Sequence, residues 1–130
     1  RPPIERLVDY RQFCQSTVPA MNSISVIELK SLLDGSPDDV VLLDVRNPAE
    51  AEVAVIPGAV LIPLATIKSG EAIERIRGMV ETGRLYVHCK LGGRSAQAVE
   101  LLAQQGIRAT NVDGGIDAWS VQVDQTVPRY

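Results

Sequence analysis

The sequence predicts an α/β fold built on a mainly parallel central sheet, and three observations carry that prediction. Two apolar runs, at residues 40–45 and 85–87, are continuous rather than alternating, as in strands covered on both faces. Segments with apolar residues at helical spacing precede the first run, at Val26, Leu29, Leu32 and Leu33, and lie between the two, at Ile73, Ile76 and Val80. Turn signals such as Pro57-Gly58 and Asp113-Gly114-Gly115 separate the two kinds of segment. At 130 residues, 45% of them hydrophobic and 22% charged, the chain has material for one domain with a two- or three-layer core.

Taken in order, residues 1–20 read as a linker or tail, with Pro2, Pro3 and Pro19 flanking residues 4–13, whose apolar members keep no period. The compact domain is expected over residues 21–130. Ser25 caps a first helix, and Glu28 three residues on completes a capping box. Gly35-Ser36-Pro37-Asp38 breaks that helix before the strand over 40–45, whose one acid is Asp44. Asn47-Pro48-Ala49-Glu50 opens a short helix with proline at its first position. Residues 59–62 read as a short strand closed by Pro63, and residues 71–80 as an amphipathic helix ended by Gly83. A strand over 84–88 follows, then a helix over 95–105 with Gly106 at its C-terminal end. Thr110-Asn111-Val112 is a further strand. A final helix over 116–121 carries Trp119 as a core anchor.

The segment Tyr86-Val87-His88-Cys89-Lys90-Leu91-Gly92-Gly93-Arg94-Ser95 carries the chemistry. A cysteine between a strand and a helix start faces unpaired backbone N–H groups at the positive end of the helix dipole. That setting lowers a thiol pKa and populates the thiolate, which is the nucleophile. Gly92 and Gly93 permit the curled backbone of an anion nest, with Ser95 near the helix start and Lys90 and Arg94 adding positive charge. The reading is a nucleophilic Cys89 that handles an anion at the carboxyl end of a strand, where α/β sheets bind ligands. Arg94 is expected to stabilise that anion by contact or through its field, and Leu91 to lie on the loop surface, within reach of an acceptor. His88 precedes the cysteine in the strand, so its side chain points away from the Cys89 side and packs rather than acting as a base. Asp44 is expected to satisfy buried N–H groups near the site, and Arg46 to pair with acidic neighbours, because a charge in an apolar strand needs a partner.

Composition excludes several classes. A formal net charge of −3 argues against nucleic acid and anionic membranes as partners. No apolar stretch approaches a membrane span, and no signal-peptide pattern is present. Two cysteines, Cys14 and Cys89, allow at most one disulfide and are not expected to pair, which points to a reducing compartment such as the cytoplasm. Cys14 reads as a passive linker thiol. One histidine and no C-x-x-C pair leave no structural zinc site. An opening Arg1-Pro2-Pro3 in place of Met suggests a fragment or a processed product.

Four motifs in order resemble a rhodanese domain over residues 24–122: Leu43-Asp44-Val45-Arg46; Ile56-Pro57-Gly58-Ala59 with Ile62-Pro63; Cys89-x-x-Gly92-x-Arg94-Ser95; and Asp113-Gly114-Gly115-Ile116-x-x-Trp119. The resemblance implies a three-layer α/β/α sandwich and sulfur transfer through a Cys89 persulfide, with no cofactor in this domain beyond that covalent intermediate. Residues 3–14 resemble the end of a ubiquitin-activating-type adenylyltransferase domain, and the C-terminal tail resembles that of two-domain adenylyltransferase/sulfurtransferases. For such proteins the implied partners are a fused adenylyltransferase domain, a ubiquitin-like sulfur carrier protein as acceptor, and a cysteine desulfurase as donor, serving molybdopterin, thiamine or tRNA thiolation. Thiosulfate is the expected donor in vitro. Many rhodaneses have an aromatic residue near Ala51 and a Gly-His or Ala-His pair where this chain has Ala54-Val55, so the rim is expected to be more apolar. Cysteine phosphatases and arsenate reductases close a longer C-x5-R loop, whereas Arg94 closes C-x4-R, and the loop has no aspartate as general acid. A non-catalytic binding module of the same fold would be expected to lack the cysteine or the intact loop.

Overall fold

The computed structural model of the chain describes residues 22–81 and 83–130. The predicted tail over 1–20, with Cys14, lies outside them. Among the described residues, five strands form one wholly parallel sheet: β1 (Ser23–Ile24), β2 (Val40–Asp44), β3 (Val60–Leu61), β4 (Arg84–His88) and β5 (Ala109–Val112). Their order is β1-β5-β4-β2-β3. The helices are α1 (Val26–Gly35), α2 (Pro48–Val53), α3 (Leu64–Lys68), α4 (Ile73–Met79), α5 (Gly93–Gln104) and α6 (Gly115–Gln122), with a 3-10 turn at Pro37–Asp39.

Parallel neighbours need crossovers, and crossovers lay helices on both faces of the sheet. Leu43, Leu85 and Val87 point into one apolar cluster, with Ile67 of α3, Ile73 and Ile76 of α4, and Ala98 and Leu102 of α5. Leu42 and Tyr86, one residue out of step, point into the other, with Val26 and Leu29 of α1 and Ile116 and Trp119 of α6. This is the expected three-layer α/β/α sandwich.

Local signals hold where side chains make them. The Ser25 hydroxyl accepts from Glu28 N–H at 3.1 Å while the Glu28 carboxylate accepts from Ser25 N–H at 3.1 Å. Asn47 and Glu50 close the same reciprocal box at the start of α2. At the far end of α5, Gly106 N–H and Ile107 N–H bond back to Ala103 O and Leu102 O, a Schellman closure. Other bounds shift. Helix α5 starts at Gly93, two residues before the predicted Ser95, and α4 starts at Ile73 because residues 71 and 72 form a turn. The predicted strand over 59–62 narrows to Val60–Leu61, since Ala59 N–H closes a turn onto Ile56 O at 3.1 Å. Strand β1 and helix α3, two and five residues long, are too short to show a period and were not predicted.

The connections leave the sheet in opposite directions from β2 and β4, which lie side by side. That reversal opens the crevice where such sheets bind ligands, and Cys89 stands at its edge, directly after β4. The start of α6 closes the back of the same loop. Ile116 N–H donates to Cys89 O at 2.9 Å and Asp117 N–H to Lys90 O at 3.1 Å. Such an approach requires glycine at 115: φ is +57°, and a Cβ there would lie 2.6 Å from Lys90 O. Gly115→Ala is therefore expected to destabilise the fold by about 2–4 kcal/mol in chemical denaturation. Gly78→Ala, with open space at its Cβ inside α4, should instead stabilise by up to about 1 kcal/mol.

Candidate active site

Peptide geometry aims the loop at the sulfur. A trans peptide points its C=O and N–H in opposite directions, so tying Lys90 O to α6 turns Leu91 N–H inward. Cys89 Sγ accepts from Gly92 N–H at 3.1 Å and from Ser95 N–H at 3.4 Å, and the Ser95 Oγ lies 3.4 Å away. Gly92 adopts φ +122° to make this turn; Gly93 does not share that conformation but is simply the first residue of α5. Ser95, wholly buried, is the third residue of that helix, whose cap is Gly92.

Cys89 is itself 1% exposed, and its apolar flank belongs to the core. Burial pushes the thiol pKa up. The Ser95 hydroxyl and the amides of Ser95, Gly92 and Leu91 outweigh it together, so the thiol sits below its ordinary value.

Both cations of the loop are held by partners of their own. Arg94 sends both terminal nitrogens to Glu50, Nη1 to Oε1 at 2.5 Å and Nη2 to Oε2 at 2.8 Å. Its guanidinium thus acts on the sulfur through its field, not by contact. The hydrogen bonds from Arg94 hold the Glu50 carboxyl down at about 2. Lys90 places Nζ 4.7 Å over the Tyr130 ring, and the Tyr130 hydroxyl donates to Glu50 Oε2 at 2.8 Å. Leu91 is exposed, as predicted.

Behind the loop, Asp44 and Arg46 pair at 2.6 Å, both almost fully buried. Asp44 Oδ1 also accepts Arg46 N–H at 3.0 Å, and Arg46 Nη1 donates to the Tyr130 hydroxyl at 2.8 Å. His88 is fully buried, its Nδ1 3.3 Å from Cys89 O and its Nε2 without a hydrogen-bond partner among the described residues. Burial lowers its pKa to about 4, so it is neutral and packed. Glu50, Asn111 and Tyr130 complete the site and were missed as site residues. Glu50 announced only its capping role, Asn111 only a polar position in a strand, and Tyr130 gave no signal, lying 84 residues from Arg46.

Among the described residues no group of three side chains is placed to hold a metal, and no helix is long and apolar enough to cross a membrane. Residues 25–122 match the family model described as a rhodanese-like domain. The chain belongs to that family. It is 37% identical over 136 residues to the Mycobacterium tuberculosis protein named "Probable adenylyltransferase/sulfurtransferase MoeZ", covering 99% of this chain and 34% of that one. It is 34% identical over 157 residues to adenylyltransferase and sulfurtransferase MOCS3 of Sus scrofa, covering all of this chain and 34% of that protein. The chain thus spans about a third of the length of both curated relatives. Among solved structures, a rhodanese-like domain protein from Staphylococcus aureus superposes with a TM-score of 0.67 at 36% identity, covering 85% of this chain and 99% of that one.

Two outcomes follow from this electrostatic arrangement. Glu50→Gln frees the Arg94 fork and removes a negative charge, so alkylation of Cys89 by anionic iodoacetate should accelerate about three- to tenfold relative to neutral iodoacetamide. Between pH 6.5 and 4 the unfolded chain protonates His88 and the folded chain does not, so stability falls with falling pH, by up to about 3 kcal/mol. His88→Gln should flatten that part of a denaturation series taken at stepped pH. Glu50 contributes fully above pH 4.5 and loses its contribution only as pH falls toward 2.

Proposed function

We propose that this rhodanese is a sulfurtransferase domain in which Cys89 carries sulfane sulfur as a persulfide. The observation that carries the reading is the sulfur itself, set at a strand end with the Gly92 and Ser95 amides aimed at it. A buried thiol packed only by aliphatic groups would be inert; these donors favour the thiolate. The thiolate attacks the outer sulfur of a donor such as thiosulfate, the donor's S–S bond breaks, and sulfite leaves with the electron pair. A second nucleophile then takes the outer sulfur and returns Cys89 as thiolate, a ping-pong cycle.

Lys90, Leu91, Gly92, Gly93, Arg94 and Ser95 form the loop that holds the anion, with Asp44 and Arg46 supporting it from behind. No cofactor is required, since the cysteine is the carrier. The names of the MoeZ and MOCS3 relatives join adenylyltransferase to sulfurtransferase, which supports an acceptor activated by adenylation: the C-terminus of a ubiquitin-like sulfur carrier, in a longer cytoplasmic protein with a fused adenylyltransferase domain. A cysteine desulfurase is the proposed donor in that setting. A cysteine phosphatase or arsenate reductase would turn its arginine fork toward a bound oxyanion. Here the loop is one residue shorter and the fork is committed to Glu50.

The test is thiosulfate:cyanide sulfurtransfer by the wild type and by Cys89→Ser. Thiocyanate formation should fall by at least about a thousandfold in the variant, with one sulfur atom gained on the Cys89 peptide of the wild type alone. Equal rates in the two proteins would sink the proposal.

A further inference from the structure

The Ser95 hydroxyl has one hydrogen and three acceptors within reach. Gly92 O lies at 3.1 Å, Asn111 Oδ1 at 2.5 Å and Cys89 Sγ at 3.4 Å. Asn111, 6% exposed on β5, offers the shortest contact. Its amide orientation is fixed from the other side. Nδ2 lies 3.4 Å from Asp113 Oδ1, and a carboxylate oxygen accepts, so the NH2 group must face Asp113 and the carbonyl must face Ser95.

From this geometry we infer that Asn111 is a positioning residue that competes with Cys89 for the Ser95 hydroxyl proton and so sets how much of that donor reaches the sulfur. The inference rests on Cys89 being the reactive thiol proposed above. A strong acceptor beside Ser95 takes a share of the hydroxyl proton, so this donor is divided between Asn111 and the sulfur while the loop amides face the sulfur throughout. The chemical consequence is a balance. A thiolate with fewer donors is less populated at a given pH but more nucleophilic once formed. The charged and titratable groups around this point are Arg94 of α5, locked to Glu50 of α2; Lys90, stacked on Tyr130; Asp113 beyond Asn111; and His88 with the Asp44–Arg46 pair at the ends of β4 and β2. None of them shares the Ser95 proton.

Thiolate ultraviolet absorbance, titrated in a Cys14→Ser background and referenced to Cys89→Ser in the same background, tests the competition. Asn111→Leu removes the acceptor and should lower the Cys89 midpoint by about half to one pH unit. In a Ser95→Ala background the same substitution should leave the midpoint in place, because no proton remains to redistribute. If Asn111→Leu does not fold, Asn111→Ala carries the same two expectations. An unchanged or raised midpoint, or an equal shift with Ser95 absent, overturns the inference. Because the titration involves no sulfur donor, its failure is distinct from a failure of persulfide formation.

Discussion

A guanidinium with no exposed surface organises this end of the sheet. Burying a charge is unfavourable unless every donor is met, and in Arg46 each one is. Nε and one Nη2 hydrogen go to the two oxygens of Asp44, the other Nη2 hydrogen goes to Ala54 O, and Nη1 reaches Glu50 O and the Tyr130 hydroxyl. The end of β2, both ends of α2 and the last residue of the chain therefore meet at one rigid fork. Glu50 is held by its backbone there, so its carboxylate is delivered to Arg94 across the crevice.

From that fixed point the constraints run to the sulfur along two backbones. Glu50 and Arg94 tie α2 to the first turn of α5, whose amides at Gly92 and Ser95 face Sγ. On the opposite side, α6 takes the carbonyls of Cys89 and Lys90 and so dictates where the next N–H groups point. The nest therefore owes its direction to hydrogen bonds on its outer surface as much as to its own glycines. That explains how a cysteine almost wholly removed from water keeps a thiol pKa below its ordinary value.

What the sequence revealed divides along physical lines. Continuous apolar runs exposed β2 and β4, and the capping residues Ser25 and Asn47 located two helix starts, because these signals are local and self-contained. The cysteine loop was legible for the same reason, since nucleophile, glycines and helix start lie within seven residues. Contacts that fold brings together were not. Arg94 looked like a free cation because Glu50 stands 44 positions away. Asn111 looked like an ordinary strand residue because only the packing of α5 against β5 sets it beside Ser95. The role of Gly93 was overread, since one positive φ, at Gly92, suffices for the turn.

The two-residue strand β3 sits at one border of the sheet, between the Pro57-Gly58 turn and Pro63. A border this brief offers a neighbouring molecule almost no ladder to extend, and a proline has no N–H to donate beyond it. On that side the sheet resists recruitment into intermolecular cross-β growth, a safeguard for a domain whose two five-residue inner strands, β2 and β4, are largely apolar and parallel.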